Sequence, residues 1–248
     1  MNYNERLKFF KEMISENRAW WFQEHDYLPQ IYAELDNKEF EILKDWFEET
    51  QKLNMIGECG IPAMSAMLGF VNGNDIKRIV QLGTYAGYST LLFGFALRRM
   101  DRKRGLVTFD ILERVSDFTQ KWVDKAGLGE YVRVLISDST DASAVFMANA
   151  YFNEETTGPH KKKTQMLFID SSHQYEQTLK ELHLWEPEME AEGLIFLHDV
   201  SDQAREYDTT GKGGVRRAFF EVMVDEWNGM DISKGVYRDG CGLGIIQK

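Results

Sequence analysis

The sequence predicts an α/β fold: a mostly parallel sheet of seven strands with helices on both faces, preceded by an N-terminal helical region. Three observations carry this. From Ile76 onward, short apolar runs alternate with helical patterns, an order that calls for parallel strands buried on both sides. Before that point, apolar residues recur at helical spacing, as in Leu7, Phe10 and Ile14 and again in Phe40, Leu43 and Phe47. A hydrophobic content of 43%, with 13% aromatic residues, is ample for a core and excludes a disordered chain. Two units are expected: residues 1–70, a helical region serving as lid or oligomerisation surface, and residues 71–248, a ligand-binding α/β domain.

In order along the chain, the first 70 residues hold Trp20, Trp21 and Trp46 among many phenylalanines, which reads as helical core rather than a ligand cage. Gly57-Glu58-Cys59-Gly60-Ile61-Pro62 breaks the helical pattern, and a small-residue helix over 63–70 runs into the turn Asn72-Gly73-Asn74-Asp75. The first strand, ending Ile79-Val80-Gln81-Leu82, enters a turn bounded by Gly83 and Gly87 and leaves into an apolar helix. The second strand is 105–110, followed by a helix through Phe118 and Trp122; the third is 132–136, with a polar loop and a helix from Ala142. Residues 153–165 read as an exposed insertion, 166–170 as the fourth strand and 193–199 as the fifth, with a helix through Tyr175 and Trp185 between them. A glycine-rich loop, Thr209-Thr210-Gly211-Lys212-Gly213-Gly214, reads as a lid, an anion nest or a plain connection. A helix over 215–227 and two closing strands, 235–238 and 242–247, complete the chain.

Charge and composition exclude several classes. Lys and Arg total 29 against 40 Asp and Glu, so the net charge of −11 repels phosphate backbones and argues against a nucleic-acid partner. The basic run from Arg98 to Arg104 sits where a helix should end, and cations there complement the helix dipole. Cys59 and Cys241 make no disulfide framework and no paired-cysteine metal motif. With no apolar signal segment near Met1 and no run long enough to span a bilayer, the expectation is a cytoplasmic protein without a membrane partner. The aromatic N-terminal region suits a homodimer.

The polar residues at the strand ends point to function. Gly83, Asp110, Asp170 and Asp199 end their strands or follow directly, and Ser137-Asp138 follows the third. Ligands of open parallel sheets bind beyond these carboxyl ends. Asp110, 27 residues after Gly83, can accept from both hydroxyls of a ribose, and Asp138 can accept from the exocyclic amine of an adenine. The turn is GxxxG rather than GxGxxG, and it lacks the P-loop lysine and hydroxyl pair. The implied ligand is a nucleoside with little or no phosphate.

From Ile79 to Asp199 the chain resembles the class I S-adenosylmethionine-dependent methyltransferases, which have a Rossmann-like sheet. Val80-Gln81-Leu82-Gly83-Thr84-Tyr85-Ala86-Gly87-Tyr88-Ser89 is similar to their first motif, particularly in the catechol O-methyltransferase-like branch. Phe168-Ile169-Asp170-Ser171-Ser172-His173-Gln174-Tyr175-Glu176 resembles the fourth-strand motif of small-metabolite and sugar O-methyltransferases. Gly193 to Val200, and Gly214 to Phe220, resemble the fifth strand and the next helix. The resemblance implies S-adenosylmethionine as cofactor, held by Gln81, Gly83, Thr84, Tyr85, Gly87, Ser89, Asp110, Asp138, Ser139 and Asp170. Gln81 departs from the family, which has an acid there to order the methionine amino group.

The implied reaction moves a methyl group to a hydroxyl of a small molecule, a sugar or secondary metabolite, and two devices are available to activate that hydroxyl. One is His173, three residues past Asp170 and matching a catalytic base of the family, with Asp170 beside it as a second catalytic residue. The other is Mg²⁺ or another divalent cation on Asp170, Asp199 and His198. Val200 stands where the catechol-type branch has a third oxygen ligand, and a histidine at 198 suits softer metals than Mg²⁺. Gln81 and Val200 keep a non-catalytic cofactor-binding module as an alternative. A nicotinamide-dependent oxidoreductase is a weaker one, since its glycine motif is missing.

Overall fold

The computed structural model describes residues 1–15, 18–154, 161–225, 228–232 and 240–248. Its sheet has seven strands in the order β3-β2-β1-β4-β5-β7-β6. They are β1 (Ile79–Leu82), β2 (Leu106–Asp110), β3 (Val132–Ile136), β4 (Thr164–Ile169), β5 (Met189–His198), β6 (Asn228–Asp231) and β7 (Leu243–Gln247). The first five are mutually parallel, and β7 runs antiparallel between β5 and β6. The order reverses at β1, with β2 on one side and β4 on the other, which opens a crevice beyond their carboxyl ends. The expected strand at 235–238 lies outside the described residues. The sixth strand is Asn228–Asp231, in the stretch between the expected helix ending at 227 and the expected strand at 235, to which the pattern assigned no element.

Alternation along the strands sorts the core into two faces. Ile79, Met166, Phe168 and Phe196 point to one side; there they meet α4 (Asn37–Lys52), α5 (Ile61–Gly73), α6 (Tyr88–Arg99) and α7 (Glu113–Ala126). Val80, Leu82, Leu167 and Ile169 point to the other, toward α8 (Ala142–Asn153), α9 (Tyr175–Trp185) and α10 (Gly214–Asp225). α6 lies against the sheet centre with every residue from Tyr88 to Leu97 buried, as its nearly continuous apolar sequence requires.

The N-terminal helices share the first of these cores. α1 (Tyr3–Glu12) and α4 each begin with a reciprocal capping box, Asn2 with Glu5 and Asp36 with Glu39. Phe10 stacks on Phe22 and on Tyr32, each at 4.6 Å between ring centroids. Trp46 Nε1 donates to Ala86 O at 2.7 Å, and the Tyr32 and Tyr88 hydroxyls are hydrogen-bonded to each other. These contacts tie the helical region directly to the turn after β1. Arg98 and Arg99 end α6 as expected, and they also hold the buried Glu39 carboxylate, each at 2.9 Å. No helix of the described residues is long and apolar enough to cross a membrane.

Candidate active site

The turn after β1 is shaped by a close backbone approach. Gly83 has φ +92°, and a Cβ there would lie 1.9 Å from Asp170 O, the carbonyl just past β4. No L side chain is compatible with both constraints. Gly87 has a different reason: a Cβ would strike Thr119 of α7 at 2.7 Å, so this glycine serves helix packing at the small pocket's edge. Thr119 Oγ1 also donates to Tyr85 O at 2.8 Å.

Gln81 is buried, and its amide is spent within the protein. Nε2 donates to Gly83 O at 2.8 Å and to Ser89 Oγ at 3.0 Å, while Oε1 accepts from Thr90 Oγ1 at 3.2 Å. It braces the turn from behind. Thr84 is likewise buried, its hydroxyl paired with Thr108 at 2.6 Å.

Asp110 ends β2 facing this turn. Oδ2 accepts from the amides of Thr84 at 3.1 Å and Tyr85 at 3.0 Å, and Oδ1 accepts from Leu112 N at 2.9 Å. A carboxylate has about four acceptor positions. Three are filled by backbone, so Asp110 both builds the loop and retains capacity for a ligand hydroxyl. Asp138 lies in the loop after β3. Its Oδ1 accepts from the amide and hydroxyl of Thr140, both at 2.8 Å, and these bonds, amide first, hold its pKa below the usual carboxylate range. Ser137 and Ser139, on either side, are the residues that face the cavity.

That cavity, about 500 Å³, opens beyond the ends of β1 to β4, and its walls include Gly83, Asp110, Ser139, Asp170 and His173. A smaller pocket adjoins it, sharing Gly57, Gly83, Tyr85 and Asp170, and adds Glu58, Gly87 and Ser89. Glu58 escaped the sequence reading, which treated its glycine-flanked segment only as a helix break. Its carboxylate is fixed by Arg18 Nε at 2.5 Å.

Asp170, His173, His198 and Asp199 converge at the far side. His173 Nε2 is 3.2 Å from Asp199 Oδ2 and 4.0 Å from Asp170 Oδ1, and His198 Nδ1 is 3.3 Å from both carboxylates. Burial opposes charge on His198, but Asp199 and then Asp170 outweigh it and hold its pKa well above the ordinary value. Desolvation pushes the Asp199 carboxyl up, and the His198 charge overcomes it, leaving the pKa lowered. Cys241 also belongs to this donor group: its Sγ, a nitrogen of His198 and an oxygen of Asp199 lie within 4.8 Å of one another. Tyr85, His173 and Asp199 all have positive φ, at +42°, +59° and +63°. Backbone strain of this kind in non-glycine residues is concentrated at functional sites.

The glycine-rich loop is not an open anion nest. Asp208 occupies its amides, accepting from Thr210 N at 2.8 Å and Gly214 N at 2.7 Å.

Residues 80–200 match a family model described as a methyltransferase domain. The match begins one residue into β1 and ends just past β5, so the matched span contains every strand end that converges on the cavity. A curated relative, catechol O-methyltransferase of Niastella koreensis, is 30% identical over 125 residues, covering 48% of this chain and 51% of the relative. The chain thus spans about half the length of the curated relative it matches. Among solved structures, the O-methyltransferase from Bacillus cereus in complex with SAH superposes with a TM-score of 0.61 at 16% identity, over 86% of this chain and 92% of that one. The O-methyltransferase TomG from Streptomyces achromogenes, in complex with SAM, gives 0.64 at 14% identity, over 95% and 97%. At such identities the likeness is one of fold, and it extends through the N-terminal helices as well as residues 80–200.

Proposed function

We propose that the chain is an S-adenosylmethionine-dependent O-methyltransferase acting on a hydroxyl of a small molecule. The observation that carries this is the cavity at the ends of β1 to β4, with the nucleoside-type contacts of Gly83, Asp110 and Ser139 at one side and His173 with its carboxylate partner at the other. Its volume lies within the range of roughly 300–1,000 Å³ usual for small-molecule sites. The named activity of the catechol O-methyltransferase relative and the SAM held by TomG support the same reading.

The residues present suit the cofactor. Asp110 retains an acceptor for a ribose hydroxyl, and the methionine end is directed toward Gly83, where the cavity meets the small pocket of about 20 Å³. With the Gln81 amide turned inward, Glu58 is the acid available there for the amino group. Residues 1–70 contribute Ile56, Gly57 and Glu58 to the rim, which supports their role as the cover of the site.

When bound, the cofactor supplies an electrophilic methyl group on a sulfonium, which leaves as a neutral thioether as the carbon–oxygen bond forms. With Nε2 directed at Asp199 Oδ2, 3.2 Å away, His173 takes the proton of the acceptor hydroxyl on its other ring nitrogen, and the carboxylate stabilises the resulting imidazolium. The cavity walls hold the acceptor oxygen in line, the main contribution a protein makes to such a displacement.

The cluster fits a cation of the borderline class better than Mg²⁺. Asp170, Asp199 and His198 Nδ1 would hold it, Cys241 is within the same donor group, and Val200 offers no third oxygen. Such an ion would supply Lewis acidity toward the acceptor oxygen.

Calorimetric titration with S-adenosylmethionine and NAD, followed by methyl-transfer assays on catechols, sugars and other hydroxylated acceptors, tests the reading. Micromolar binding of S-adenosylmethionine without NAD binding, and turnover of at least one hydroxyl acceptor, are expected. Failure to bind the cofactor refutes it.

A further inference from the structure

Behind the cavity wall sits a carboxyl group that the proposed reaction does not use. Glu181 on α9 is fully buried. Both its oxygens are engaged: Ser139 Oγ donates to Oε1, and Ser171 Oγ donates to Oε2 at 2.9 Å. The two serines belong to the loops after β3 and β4, strands separated in the sheet by β2 and β1, and both line the cavity. One turn further along α9, Trp185 Nε1 donates to Ser139 O at 2.8 Å, so the same helix fixes the backbone and the hydroxyl of that serine.

An ionised carboxylate only accepts, and a serine hydroxyl has one proton to give. With both protons directed inward to Glu181, Ser139 and Ser171 can present only lone pairs to the cavity. Such a wall pairs with an N–H donor and leaves a carbonyl oxygen facing it unsatisfied. Among the groups of an adenosyl ligand, the ribose hydroxyls fall to Asp110, and the remaining donor is the exocyclic amine of the base.

We propose that Glu181 is a positioning residue that sets the hydrogen-bond polarity of the base subsite, so that the cavity selects an adenosyl ligand over its deaminated, inosyl counterpart. The inference rests on the cofactor reading above and deepens it by naming what distinguishes the accepted base. A site built to pair a polar group rejects an analogue lacking it strongly, because its own buried groups are then left unpaired.

The test compares the binding of S-adenosylhomocysteine and S-inosylhomocysteine by calorimetry at pH 8.5. Burial pushes the Glu181 carboxyl up to about 7, so at that pH it is ionised. The wild-type protein is expected to favour the adenosyl ligand by about 100-fold. In Glu181→Gln the side-chain amide donates to one serine, whose hydroxyl then turns into the cavity. The ratio should narrow to roughly 10-fold or less, mainly through tighter binding of the inosyl ligand. Ser139→Ala and Ser171→Ala, which remove the lone pairs and leave the helix intact, should narrow it as well. A purely structural role for Glu181 would weaken both ligands alike. An unchanged ratio in Glu181→Gln, or in both serine variants should Glu181→Gln not fold, overturns this inference alone. Absence of S-adenosylhomocysteine binding to the wild type overturns the cofactor reading and this inference with it.

Discussion

Glu181 also makes a prediction about stability. Its carboxyl is moved by burial from 4.5 to about 7, against the weaker opposing pull of the Ser139 and Ser171 hydroxyls. A shift of this size corresponds to about 3 kcal/mol. Below pH 4.5 the group is protonated in both the folded and the unfolded chain and has no effect. As pH rises from 4.5 to 7, the unfolded chain loses the proton while the folded protein keeps it, so the folded state is progressively disfavoured. Above 7 both are ionised and the cost is constant. Roughly 2.5 kcal/mol of it accrues between pH 5 and pH 8.5. Glu181→Gln has no such proton. The stability of the variant relative to wild type should therefore rise by that amount over the interval, or by about 5–10 °C in melting temperature for a chain of this size. Thermal melts of both proteins across the interval measure it, and the histidine–aspartate cluster cancels because both proteins carry it. Melting curves that stay parallel from pH 5 to pH 8.5 would refute a buried, proton-holding Glu181.

Gly83→Ala must push its Cβ away from the Asp170 carbonyl, and we expect at least a 10-fold loss of cofactor affinity together with about 2 kcal/mol of destabilisation from the left-handed backbone alone; calorimetry and denaturant melts read the two effects. His173→Asn should lower kcat by roughly 100-fold or more while leaving the dissociation constant of S-adenosylmethionine within about twofold, since the ring acts on the acceptor proton. A parallel loss of cofactor binding would remove His173 from the role of base. Phe10→Ala takes away the ring stacked between Phe22 and Tyr32, and urea melts should show about 3–5 kcal/mol of destabilisation. If residues 1–70 instead unfolded separately, a two-step melt would result.

Much of the architecture was legible because it depends on local pattern. The alternation of strand and helix from Ile76, the glycine at 83, and acids at the ends of β2 and β4 are properties of short windows, and so the parallel sheet and its cavity-bearing edge could be read directly. The family motif was legible for the same reason: it is one contiguous strand, turn and helix start. β6 was missed because Asn228–Asp231 has no apolar alternation; its pairing with β7, not its own side chains, makes it a strand.

The sequence by itself determined the run of parallel strands β1 to β5 with their intervening helices and the candidate residues His173, Asp170 and Asp199, since chain order and residue type suffice for these. Only the tertiary structure decided how each polar group spends its hydrogen bonds. Gln81 and Asp138 read as ligand contacts; the Gln81 amide turns to Gly83, Ser89 and Thr90, and Asp138 Oδ1 to Thr140, and one-dimensional spacing does not show which way a side chain turns. Glu58 reaches the site from the helical region, and Glu181 reaches Ser139 across 42 residues. Contacts of that separation exist only after the sheet has brought its strand ends together, and they determine which atoms remain free to face a ligand.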